Sequence, residues 1–181
     1  MGNVHSQRLI KHGIAGIVVA MAAGFGLIFA MIGAISLSPL PIFIPWEIPG
    51  SPQGWRMVHV GMMMNGLMGV LLGLAMRQFA LTDRGAATVA WGTIIAIWGN
   101  FCFYLFGMFA PNHGVTLQGN RLGEANLGAA LAFLPGLAAV ITLFVALVVL
   151  LRAKPESEPA ARGLKDRPRQ TDSRMDKAAL G

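Results

Sequence analysis

The chain has 181 residues, of which 55% are hydrophobic and only 12% charged, with 23 glycines and a formal charge of +6. A soluble domain carries about 25% charged residues, so this composition leaves too few charges for a surface facing water and excludes a water-soluble fold. The residues from Arg152 onward hold more than half of both the basic and the acidic groups, so the positive charge is a topology signal at the ends of apolar spans and not a nucleic-acid surface.

Four intervals lack Asp, Glu, Lys and Arg altogether: Lys11 to Glu47, Arg56 to Arg77, Arg84 to Arg121 and Glu124 to Arg152. Each reaches the ~20 residues that a helix rising 1.5 Å per residue needs to cross a hydrocarbon core of about 30 Å. The pattern predicts an all-α integral membrane bundle of four transmembrane helices. Residues 1–152 form the membrane domain, with spans at about 13–36, 57–81, 86–110 and 126–151. The first span is retained, because its apolar stretch is much longer than the ~7–15 residues of a cleavable signal.

Between the first two spans, residues 38–55 combine five prolines with Trp46, Trp55 and an apolar set, which reads as a rigid cap at the membrane interface. The second span carries His59, the run Met62, Met63, Met64, and Asn65. The third carries Asn100 and Tyr104, four apart and therefore on one helix face. Residues 111–125 mix Gly and Asn with hydrogen-bonding side chains, as a structured loop does. Pro135 is expected to kink the fourth span. Residues 153–181 are polar, with too little apolar surface to order themselves, and read as a disordered tail.

All basic residues except Arg56 and Arg121 flank one side of this arrangement, which predicts both termini on the cytoplasmic side of the membrane. On that topology His59, Asn65, Asn100 and Tyr104 all fall in the outer half of the membrane. The short link between the second and third spans makes these helices expected neighbours, so the four groups are expected to converge. Polar side chains inside a span are costly and are functional candidates by default. Each has a plainer role too: a histidine one turn into a span also serves by reaching the interface, and asparagines also lock helices together. The methionine run suits flexible packing better than metal binding, since consecutive thioethers point in different directions. His5, His12 and His113 read as surface histidines. Cys102, the single cysteine, has no disulfide partner in the chain. No paired carboxylates, nucleophile elbow or phosphate loop occurs.

One neutral imidazole is a good axial ligand for haem iron and leaves the opposite face open for a substrate, and ferric iron with an open position is a Lewis acid. Tyr104 and an asparagine amide then suit an apolar molecule that carries an oxygen.

At these residues the sequence resembles the styrene oxide isomerase family. The resemblance lies in Pro49-Gly50-Ser51-Pro52-Gln53-Gly54-Trp55, His59-Val60-Gly61 and Asn65-Gly66. It continues in Trp98-Gly99-Asn100, Phe103-Tyr104-Leu105-Phe106, Phe109-Ala110-Pro111-Asn112, Gly114, Thr116, Asn120 and Gly123, and covers roughly residues 13–150. It implies a homotrimer of four-helix subunits with ferric haem b at the subunit interface. It also implies His59 as axial iron ligand and cofactor-binding residue, with Tyr104 and Asn65 as catalytic residues that position the substrate. Asn100, Met62, Met63, Trp55 and Phe103 are candidate supporting residues of the pocket. The implied reaction is Meinwald rearrangement of a small apolar aryl epoxide from the lipid bilayer to an aryl acetaldehyde. The sequence departs from the family pattern at Met62 to Met64, at Gly107-Met108 and in its longer charged tail. Two other functions stay open on the residues alone: a membrane haem subunit for electron transfer, and a non-enzymatic scaffold or carrier.

Overall fold

The computed structural model describes residues 2–156. Four helices form the body: α1 (Gly2–Ile32), α2 (Pro52–Ala75), α3 (Asp83–Gly107) and α4 (Leu127–Arg152). All four are long and apolar enough to cross a membrane. The chain is thus a multi-pass, all-α membrane protein. A small hairpin of β1 (Ala34–Ser36) and β2 (Phe43–Pro45) lies between α1 and α2, and β3 (Phe79–Ala80) lies between α2 and α3.

The helix ends differ from the charge-free intervals because caps, not charges, set them. Ser51 starts α2: its Oγ accepts from the Gly54 amide at 3.0 Å, and Pro52 fills the first helical position, where no amide is needed. Thr82 and Asn126 do the same for α3 and α4, accepting from Gly85 N and Ala129 N. The start of α1 lies well before residue 13. Ser6 and Leu9 are buried there, Ser6 Oγ donates to the Gly73 carbonyl at 2.6 Å, and the Arg8 guanidinium lies 5.2 Å from the Trp91 ring centroid. Charged residues are therefore part of the helix. It ends at Ile32 because Gly33 takes a φ of +64°, the left-handed stop that favours glycine. α4 continues as one helix through Pro135.

Two helix couples result. A Cβ on Gly66 of α2 would meet the Gly13 carbonyl oxygen of α1 at 2.7 Å, so backbone lies directly on backbone. Gly92 of α3 meets the Thr142 carbonyl of α4 just as closely, at 2.7 Å. The couples then join differently: glycines of α2 receive side chains from α3 and its end, with Ile97 against Gly69 and Met108, just past α3, against Gly54. α2 and α3 are neighbours as expected, but their seam is made by side chains. Val58, Met62, Val89, Ile94 and Ile97 fill the core there.

At one end Trp55 lies against Gly26 of α1 and donates from Nε1 to the Pro49 carbonyl at 3.0 Å, which ties the proline-rich segment to the α1–α2 couple. Nearby, the fully buried Asn112 organises the 111–125 loop. Its Nδ2 donates to the carbonyls of Thr116 and Gln118, and its Oδ1 accepts from Gly114 N. Replacing Asn112 by alanine orphans these groups. At about 1–3 kcal/mol for a buried polar group without a partner, we expect a clearly lowered unfolding midpoint in detergent. An unchanged midpoint would show that water replaces the amide.

At the other end Lys154 and Pro155 form β4, which pairs with β3 in the register Phe79 to Pro155. The polar tail was expected to lose order from 153; instead its first residues are tied to the link between α2 and α3. The rest of that expectation, from 157 onward, falls outside the described residues.

Candidate active site

Three of the polar residues singled out in the spans form one hydrogen-bonded chain across the α2–α3 seam. Asn65 Nδ2 donates to the Gly61 carbonyl at 2.8 Å and makes a longer contact of 3.4 Å with the Tyr104 hydroxyl, while its Oδ1 accepts from Asn100 Nδ2 at 2.8 Å. The amide orientation follows from the partners: a carbonyl only accepts, so the NH2 of Asn65 must face Gly61. Both amide protons of Asn65 are then committed. The Tyr104 hydroxyl, which accepts from Asn65, keeps its own proton free of any acceptor among the described residues. Gly61 makes room for the ring, since a Cβ there would run into Tyr104.

Tyr104 and Phe103 lie between two cavities. One, of about 330 Å3, sits between α3 and α4 and reaches Asn100. The other, of about 210 Å3, reaches toward the loops and is bordered by Ser51, Gln53, Met57 and His113. Phe103 packs edge-on to Tyr104 with centroids 5.9 Å apart. The other candidates are placed elsewhere. Met62 is fully buried in the core, Met63 packs partly against it, and Met64 is exposed, so the run does point three ways. Trp55 serves as the clamp described above.

His59 stands apart from this chain of bonds. It is six residues before Asn65, about 120° around the helix, and its Nδ1 donates to the Ala20 carbonyl of α1 at 2.7 Å. A carbonyl accepts only, so in the neutral ring the proton sits on Nδ1 and the lone pair on Nε2. Gly24 lets the ring lie close to α1, since a Cβ there would meet Nδ1 at 3.1 Å. An imidazole held by a backbone carbonyl through one nitrogen and open at the other is the usual arrangement of a metal-ligating histidine. Among the described residues no three His, Cys, Asp or Glu side chains gather as a metal site. The donor set at His59 thus fits an iron that brings its remaining ligands with it, as haem iron does.

The sequence-based reading of His12 needs correction. It is no surface group: because α1 starts at Gly2, His12 lies about 15 Å along the helix and is partly buried against Trp98. Trp98 Nε1, which can only donate, gives its proton to His12 Nδ1 at 3.0 Å. His12 therefore carries its proton on Nε2, the opposite tautomer to His59.

The sequence in which this arrangement is set matches the styrene oxide isomerase family model over residues 5–154, a stretch that takes in nearly all of the four helices. The chain belongs to the styrene oxide isomerase family. It is accordingly an isomerase. A styrene-oxide isomerase of Pseudomonas fluorescens is 29% identical over 135 residues, which cover 75% of this chain and 79% of that protein. His59, Asn65, Asn100 and Tyr104 all lie within the stretch that the styrene oxide isomerase family model matches. So does α4, which contributes Phe133, Gly136 and Leu137 to the larger cavity. These three were not singled out from sequence, because apolar residues in a predominantly apolar helix carry no signal.

Proposed function

We propose that the protein isomerises aryl epoxides of the styrene oxide type to aryl acetaldehydes at Tyr104. The observation that carries this reading is the Tyr104 hydroxyl, oriented by Asn65, with its own proton uncommitted and cavities on both sides. When the benzylic C–O bond of an epoxide opens, negative charge builds on oxygen, and a fixed O–H donor is most valuable there. Asn65 is the positioning residue, with Asn100 holding its carbonyl end. The hydrogen that shifts from one carbon to its neighbour stays within the substrate, so no side chain has to add or remove a proton overall. Apolar walls keep water from trapping the cation as a diol.

His59 would hold ferric haem b through Nε2, and the bound haem supplies a Lewis acid for the epoxide oxygen. His59 and Tyr104 act from different sides of α2, which suits a homotrimer in which haem lies between copies of the chain. The basic residues near the N-terminus, in the link between α2 and α3 and from Arg152 onward support a topology with both termini in the cytoplasm. The electron-transfer alternative asks for a second histidine with a free lone pair, and His12 is committed to Trp98 in the wrong tautomer.

The test is an absorbance spectrum of the purified protein together with product analysis on styrene oxide. A Soret band and phenylacetaldehyde are expected; haem-free protein that makes no aldehyde overturns the reading. A Gly61→Ala variant should displace the Tyr104 ring and lower kcat at least ~10-fold while the Soret band persists. Unchanged turnover would separate Tyr104 placement from the chemistry.

A further inference from the structure

The cavity between α3 and α4 is markedly one-sided. Its apolar walls include Phe103 of α3 and Phe133, Gly136 and Leu137 of α4, and its polar end is Asn100 and Tyr104. At about 330 Å3 it lies at the small end of the ~300–1,000 Å3 typical of small-molecule sites, enough for one compact substituent. Gly136 keeps it open: a Cβ there would meet Phe103 Cδ2 at 3.1 Å, so an added methyl crowds that ring and takes space from the groove. Leu137, one of its walls, is 46% exposed, so the groove opens to the outside of the four-helix bundle. The cavity on the other side of Tyr104 is bordered by Ser51, Gln53 and His113, which suit an apolar group less well.

We infer that the α3–α4 groove seats the apolar substituent of the substrate, with Phe133, Gly136 and Leu137 setting the size it accepts. This rests on the reading that the epoxide oxygen is held at Tyr104. An oxygen at the polar end and a ring among the apolar walls give the substrate one orientation. The α4 residues are then specificity determinants that leave the reacting atoms untouched.

The experiment compares full-length protein in detergent with Leu137→Ala, Phe133→Ala, Gly136→Ala and, in the other cavity, Gln53→Ala. Two readouts are used. The first is the ratio of kcat/KM for 2-naphthyloxirane to that for styrene oxide. The second is the Kd of 2-phenyltetrahydrofuran, an unstrained ether with the aryl group beside the ring oxygen. Leu137→Ala and Phe133→Ala should raise the ratio at least ~10-fold toward the naphthyl substrate. Gly136→Ala should lower it and weaken ether binding by ~10-fold. Gln53→Ala should leave ratio and Kd unchanged. Unchanged ratios in all three α4 variants, with wild-type Soret absorbance and unfolding midpoint, overturn the inference, as does a ratio that responds to Gln53→Ala alone. If the wild type makes no aldehyde, the isomerase reading fails separately. Ether binding then decides for the groove if Gly136→Ala weakens it and against it if not.

Discussion

His59→Ala protein should purify without a Soret band and should make no detectable aldehyde. The expected effect is large because the imidazole is the donor that the structure offers to iron: Nδ1 is held by the Ala20 carbonyl and Nε2 is left open. Loss of an outer partner of a ligating histidine already costs ~10–100-fold in metal affinity, and loss of the ligand itself should exceed that. Misfolding is separated from ligand loss by adding free imidazole to His59→Gly protein, where Gly24 and the vacated ring position leave space against α1. Recovery of the Soret band and of turnover identifies the ligand. A His59→Ala protein that keeps full haem content would sink the assignment.

Tyr104→Phe is expected to separate binding from chemistry. The substitution keeps the ring that packs against Gly61 and Phe103 and deletes only the hydroxyl. Its contact with Asn65, at 3.4 Å, is at the long end for a hydrogen bond, while the bonds of Asn65 to Gly61 and Asn100 remain. Stability and haem spectrum should therefore stay close to wild type. Turnover should fall by ~10²–10³, the usual cost of one donor to a developing oxyanion, about 2.7–4 kcal/mol. Single-turnover formation of phenylacetaldehyde measures it. Retained wild-type kcat would remove the hydroxyl from the reaction and leave Tyr104 as packing only.

Much of this arrangement was legible in the sequence. Four long charge-free intervals fixed the number of helices, because no charge can be hidden in hydrocarbon cheaply. Asn65, Asn100 and Tyr104 stood out as polar groups within apolar runs, and the structure joins them. His59 was visible for the same reason, but its direction was not: which side of α2 it faces depends on Ala20 and Gly24, residues with no sequence signal of their own. The helices begin before the apolar runs where caps or charged residues lie outside them, as at Ser51 and in the first turns of α1. His12 was misread as a consequence. The contribution of α4 to the cavity was hidden among its uniform leucines, valines and alanines.

The two kinds of helix seam bear on how this protein can change. Within each couple, glycine brings backbone onto backbone, and almost any substitution there is a steric fault. Between the couples, the Asn65, Asn100 and Tyr104 chain is at once the polar adhesive and the source of the donor proposed for catalysis. Variation at Asn65 or Asn100, which hold the stronger bonds, alters cohesion and rate together. On the proposed reading the exposed face of α4, free of both constraints, is where adaptation to new epoxides has its widest tolerance.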